Sequence, residues 1–223
     1  MMKSFQAYFF DMDGTLFDSM PHHSQAWETV MRRHGLDFTA YDCYLNEGRT
    51  GQDVIHEAIW TKEHREASEE EIWSIYNEKT EEFHRLGGAK PIPGVKDLLE
   101  LLVSQGTQVW IVTGSGQQTL FDTLDESFPG IFTRKYMITA LDVVHGKPHP
   151  EPYLRAWERC GLPKEECCVI ENAPLGIQSG KAAGLFTIGV NTGILRPEDL
   201  LRAGADHVYN NMAALREAII EAS

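Results

Sequence analysis

Residues 9–19 read FFDMDGTLFDS. An apolar run ends at Phe10, two aspartates follow two positions apart at Asp11 and Asp13, and Gly14 comes next. Carboxylates this close repel one another unless a cation or a shared proton makes their proximity useful. A polar turn is the plainer reading, because Asp and Gly both favour turns. What lies at the ends of the other strand-like segments decides between the two.

From about residue 92 onward, strand-like and helix-like segments alternate. PGVKDLLELLVSQG predicts a helix closed by Gly106, and TQVWIVT a strand. GQQTLFDTLDES, PEPYLRAWERCG, LGIQSGKAAG, PEDLLRAG and AALREAIIEA read as helices, with KYMIT, CCVIE, FTIGV and HVY as strands among them. None of these strands has the polar/apolar alternation of a sheet with one wet face, so the pattern predicts a parallel sheet covered on both faces. AYFF, before Asp11, adds another strand. Between Phe17 and about Gly88, HHSQAWETVMRRHG, GQDVIHEAIW and SEEEIWSIYNEKTEEFHRL show helical spacing and no convincing strand. The expected organisation is an α/β, Rossmann-like parallel-sheet core over residues 1–17 and 89–223. An α-helical cap over 18–88 is inserted after the first strand and returns through the Gly- and Pro-rich GGAKPIPG.

Composition narrows the function. With 223 residues, 42% of them hydrophobic, the chain buries a real core. A net charge of −13 argues against nucleic acid or an anionic membrane as partner, since both need a basic footprint. A small anion held by a few local cations or a metal remains compatible. No segment has the length of a membrane span, and MMKSFQAYFF lacks the apolar region of a signal peptide, so a cytoplasmic, monomeric enzyme is expected. Cys43, Cys160, Cys167 and Cys168 have no metal-ligand spacing and read as reduced packing residues.

Open α/β sheets bind ligands outside the carboxyl ends of their strands. That rim collects Asp11 and Asp13 from the first strand, Thr113, Gly114 and Ser115 from the second, and Glu171 and Asn172 after CCVI; Lys147 stands in the loop HGKPHPEP. Each has a plainer role: Thr113 as a helix cap, Lys147 as a solvated loop lysine, Glu171 and Asn172 as a cap ahead of Pro174. Those roles do not explain why all four groups fall at the same kind of strand end.

The motifs DMDGTL, VTGSG, the lysine of HGKP and IENAPLGI together resemble the haloacid dehalogenase superfamily of phosphotransferases, over essentially the whole chain. The helical insertion resembles that family's small α-helical cap, and PHHSQAW resembles its β-phosphoglucomutase-like subgroup. The resemblance implies that Asp11 is a nucleophile forming an aspartyl phosphate and that Asp13 is the general acid and base. It implies a Mg²⁺ held by Asp11, Asp13 and the motif at Glu171 and Asn172, with Thr113, Gly114, Ser115 and Lys147 on the phosphoryl oxygens. His23 falls where the mutase has a cap-hinge histidine that contacts the acid.

The chain departs from the mutase pattern where a second phosphate would be gripped. Gly51 and Gly116 stand in place of an arginine and a lysine, which removes two charge-assisted contacts. In NEGRTGQDV, Glu47 replaces another lysine, while Asn172 replaces the second acid of the fourth motif. Glu47 is then either a metal ligand brought in by the closing cap or a solvated loop glutamate. NEGRTG and PGIFTRKYMITALDV, with the other motifs, resemble the inorganic pyrophosphatases of this superfamily. That resemblance implies pyrophosphate as substrate, with Arg49 and the metal neutralising its second phosphoryl group. The competing expectations are β-phosphoglucomutase, a broad sugar-phosphate phosphatase and a non-catalytic phosphate-binding module.

Overall fold

The structure is a computed structural model that describes residues 3–115 and 120–222. Gly116 and the start of the expected helix at GQQT lie outside them. Six parallel strands form the sheet: β1 (Ala7–Phe10), β2 (Gln108–Val112), β3 (Met137–Ile138), β4 (Cys167–Glu171), β5 (Phe186–Val190) and β6 (His207–Tyr209). Their order is β3-β2-β1-β4-β5-β6, which reverses direction at β1. In this arrangement the crevice at the carboxyl ends of β1, β2 and β4 is the natural binding place.

The sequence pattern explains both faces. Along β1, Tyr8 and Phe10 join one apolar cluster with Leu98, Leu99, Leu102 and Leu215, while Ala7 and Phe9 join another with Trp110, Tyr153 and Ala156. A strand buried on both sides cannot alternate with polar residues, hence the unbroken AYFF and CCVIE. The covering helices are α5 (Val95–Ser104), α6 (Leu120–Ser127), α7 (Glu151–Cys160), α8 (Pro174–Ala182), α9 (Pro197–Arg202) and α10 (Met212–Ala222).

Four helices lie between β1 and α5: α1 (Met20–Arg33), α2 (Ala40–Leu45), α3 (Gly51–Glu63) and α4 (Glu69–Leu86). Three match the expected cap helices. The fourth, α2, has only six residues and is held by a reciprocal cap between Thr39 and Asp42. Trp27, Val30, Met31, Ile55, Ile59 and Ile75 pack together, and the same cluster takes in Ile177, Leu195 and Leu200 from the sheet side. The outgoing and returning chains run side by side, with Ile92 N–H donating to Leu16 O at 2.9 Å and Asp18 N–H to Lys90 O at 2.8 Å. All four cysteines are free and buried, as packing residues should be. Among the described residues, no helix is long and apolar enough to cross a membrane.

Candidate active site

Strand register brings the chemistry together. Phe10 is level with Ile111 of β2 and Ile170 of β4, so the next residue, Asp11, sits beside Val112 and Glu171. Its backbone N–H donates to Ile170 O at 3.0 Å, which fixes it in the crevice. Lys147 Nζ reaches in from the loop before α7 and donates to Asp11 Oδ1 at 2.5 Å, Glu171 Oε1 at 2.6 Å and Val112 O at 3.0 Å. All three of its protons are thereby placed. The solvated-loop reading of Lys147 does not hold, because the side chain is 6% exposed.

Asp13 leaves the strand through the turn at Gly14, whose φ of +72° suits glycine. A Cβ there would also lie 2.1 Å from Asn172 Nδ2. Asp13 Oδ1 accepts from Ser19 Oγ at 2.7 Å. Burial raises its pKa, opposed by the Ser19 hydrogen bond and by the charges of Lys147 and Lys79. Thr113 is buried at the end of β2, where its Oγ1 accepts the Ser115 N–H at 3.0 Å. The hydroxyl proton of a threonine that accepts in this way is still available to an anion. Gly114 is exposed beside it and Ser115 half-buried.

Four carboxylates crowd this crevice, and their electrostatics show the strain. Burial pushes Asp11 up to about 7, with Glu171 and Asp13 adding to the rise and Lys147 opposing it. Glu47 is driven well above the usual carboxylate range by burial first, then by Asp11, Glu171 and Asp13. Lys147 opposes the rise at Asp11, and Lys147 and Lys79 oppose it at Asp13. Asp11 Oδ2 is buried without a hydrogen-bond partner. An orphaned carboxylate oxygen among excess negative charge fits a hard divalent cation such as Mg²⁺, for which Asp11, Asp13, Asn172 and Glu47 supply oxygen donors.

Glu171 is fixed in the core by hydrogen bonds. Its Oε1 accepts from Lys147 and from Tyr153 Oη at 2.7 Å, and its Oε2 from Asn172 N–H at 3.2 Å. With both oxygens engaged, Glu171 anchors Lys147. Asn172 bridges core and cap: its Oδ1 accepts from Thr15 Oγ1 at 2.8 Å, and its Nδ2 donates to Glu47 Oε2 at 2.8 Å. The solvated-loop reading of Glu47 fails here, because the cap loop lays this carboxylate on the catalytic rim. Gly48, at φ +96°, lets that loop cross Lys147, whose Cβ would be 3.5 Å from an added Cβ.

Two other expectations are corrected. Arg49 does not face the rim; its guanidinium pairs with Glu57 and with Asn46 Oδ1 at 3.0 Å, in a surface depression of the cap shared with His56 and Trp60. His23 does not meet Asp13, whose partner is Ser19. Its ring stacks on Phe83 at 4.1 Å, and Nδ1 pairs with Lys79 Nζ at 3.0 Å. Gly51 lies against Tyr76, and an added Cβ there would be 2.4 Å from its ring.

Lys79 is the residue that sequence reasoning missed. It is buried in α4, 5.3 Å from the Trp27 ring centroid and 5.0 Å from that of Phe83, and its charge acts on Asp13. The available signal was its place on the apolar stripe Ile75, Lys79, Phe83, at intervals of four. Burial pushes His23 down to about 3, with Lys79 and His22 adding to the fall. A histidine neutral when folded but protonated below about 6.5 when unfolded makes stability fall with pH below that value, by about 1.4 kcal/mol per unit until about pH 3. His23→Gln removes this contribution, so the difference in unfolding free energy between wild type and variant should change steeply below pH 6.5. Parallel acid limbs in denaturant titrations would contradict the neutral assignment.

Residues 5–184 match the haloacid dehalogenase-like hydrolases. The chain belongs to that family. Among curated relatives of this haloacid dehalogenase-like hydrolase, hexitol phosphatase A of Escherichia coli is 32% identical over 198 residues, covering 83% of each chain. Glycerol-1-phosphate phosphohydrolase 2 of Saccharomyces cerevisiae is 33% identical over 94% of this chain and 84% of its own. A solved structure from Bacteroides vulgatus, described as a candidate β-phosphoglucomutase, is 44% identical, with a TM-score of 0.89 over 98% of this chain and 90% of that one. The family assignment makes this a haloacid dehalogenase-like hydrolase, with the acid pair and the threonine after β1 and β2 and the lysine reaching in from the loop before α7.

Proposed function

We propose that this haloacid dehalogenase-like hydrolase is a Mg²⁺-dependent inorganic pyrophosphatase working through an aspartyl phosphate, with residues 18–88 acting as its cap. The observation that carries the reading is the Glu47 to Asn172 contact of 2.8 Å, which brings the cap loop down onto the catalytic carboxylates. A sugar leaving group needs room between cap and rim. Here Glu47, laid on Asn172, takes up that room, and Gly51 contributes no cation for a distant phosphate. Pyrophosphate has the smallest leaving group, a second phosphate, and the charge of Lys79, whose own pKa burial lowers, favours the ionised form of Asp13.

In this reading the Asp11 carboxylate attacks phosphorus, Lys147 and the Thr113 hydroxyl hold the phosphoryl oxygens, and Asp13 protonates the departing phosphate. Asp13 then takes a proton from the water that cleaves the acyl phosphate. Ser19 keeps the Asp13 carboxyl turned toward that task. Bound Mg²⁺ would neutralise the crowded acids and the phosphoryl charge.

A second reading has support of its own. The relatives named as hexitol phosphatase and glycerol-1-phosphate phosphohydrolase favour a small sugar or polyol phosphate as substrate. The β-phosphoglucomutase alternative draws on the Bacteroides vulgatus likeness, but Gly51 stands where an arginine would grip a second phosphate. Arg49, paired with Glu57 on the cap surface, reaches the second phosphoryl group of pyrophosphate no better, so the metal must neutralise it. Phosphate release from pyrophosphate, polyol phosphates and β-glucose 1-phosphate, measured side by side, separates the three.

A further inference from the structure

We infer that Tyr153 is a positioning residue of this site: its hydroxyl shares Glu171 Oε1 with the Lys147 ammonium and so sets the direction in which Lys147 meets a transferring phosphoryl group. The inference rests on the phosphohydrolase reading and not on which phosphate is cleaved.

Tyr153 lies in the first turn of α7 and is 0% exposed. Packing alone would be met by phenylalanine, and a buried phenol calls for a partner. That partner is Glu171 Oε1, at 2.7 Å, the same oxygen that takes Lys147 Nζ at 2.6 Å. Lys147 Nζ also sits 5.1 Å from the Tyr153 ring centroid, so the tyrosine touches both members of the pair. The carboxylate has little freedom on its other sides. Its Oε2 faces the N–H groups of Asn172 and Ala173, and an added Cβ at Gly176 would fall 1.9 Å from Oε1.

The hydroxyl matters because the lysine has no donor to spare. Its three protons go to Asp11, Glu171 and Val112 O. Once Asp11 is phosphorylated it is a weaker acceptor, and the freed N–H can turn to the phosphoryl oxygens. The angle of that turn is fixed by the bond that stays, to Glu171. By occupying part of Oε1, Tyr153 keeps the carboxylate from rotating toward the acids or gripping the ammonium too tightly. Its contribution therefore falls in the transition state more than in ground-state binding.

Tyr153→Phe keeps the ring and removes the donor. We expect kcat to fall about tenfold, with KM for the substrate the wild type cleaves best changing less than twofold. With Mg²⁺ present, affinity for orthovanadate, which mimics the five-coordinate phosphorus, should fall about tenfold, and affinity for orthophosphate by less than twofold. In a Glu171→Gln background, adding Tyr153→Phe should cost less than twofold, because the hydroxyl acts through that carboxylate. A variant kcat within twofold of wild type, equal penalties in both backgrounds, or equal losses of vanadate and phosphate would each overturn the inference. Thermal unfolding checks that the variant folds. Should it not fold, Glu171→Gln alone carries the test, since it too must weaken vanadate and spare phosphate. Wild type that releases phosphate from nothing would contradict the phosphohydrolase reading and the inference with it, whereas an active wild type with an indifferent Tyr153→Phe contradicts the inference alone.

Discussion

Asp11→Asn is expected to lower turnover about 10⁴-fold or more while leaving the fold intact. The amide keeps the shape of the carboxylate but supplies no nucleophilic oxygen, and loss of a nucleophile removes the route itself. Stability should move the other way. With a folded pKa raised to about 7 against an ordinary value of 3.8, Asp11 favours folding most below about pH 4 and loses that contribution as pH rises through 7. At pH 7.5 without metal, the Asn variant should therefore melt no lower than wild type, and its advantage should shrink when both are measured near pH 5. Burst kinetics and melting curves check the two halves. A variant keeping a tenth of wild-type activity would refute covalent catalysis through Asp11.

Glu47 carries the second large effect. Its carboxylate is buried among Asp11, Asp13 and Glu171, an arrangement unfavourable to folding unless a cation joins them. Glu47→Ala should reduce kcat/KM for pyrophosphate about a hundredfold, equivalent to about 2.7 kcal/mol of transition-state stabilisation. Glu47→Asp should be nearly as damaging, because one methylene withdraws the oxygen from the bridge to Asn172. Bulkier organic phosphates, which hold the cap away from the rim, should lose far less. Calorimetric Mg²⁺ titrations of the same variants should show weakened binding. Uniform small effects on every substrate would leave Glu47 as a bystander and remove the physical support for a small leaving group.

Much of this was legible in the chain because its strands are buried on both faces. AYFF, CCVIE and FTIGV announce themselves as continuous apolar runs, and the polar residues that follow them fall on one rim by register. What escaped was set by packing across distance. Helix α2 is too short to show a period. Arg49 looked like a phosphate ligand because its charge was visible and its partner Glu57, eight residues on, was not. Tyr76 fills the space at Gly51 from a different helix, and Lys79 hides in an apolar stripe where a cation is unexpected. Glu171 ends β4, and its contacts with Tyr153 and Lys147 could not be read from the sequence.

A cap laid on the rim through Glu47 and Asn172 should select the smallest phosphorylated leaving group. Phosphate release measured side by side from pyrophosphate, hexitol and glycerol phosphates, fructose 1-phosphate and β-glucose 1-phosphate, with Mg²⁺ and with EDTA, tests it most directly. Pyrophosphate should give the highest kcat/KM, activity should vanish with EDTA and return with Mg²⁺, and β-glucose 1-phosphate with a bisphosphate activator should yield no glucose 6-phosphate. A sugar or polyol phosphate cleaved more efficiently than pyrophosphate would contradict the account.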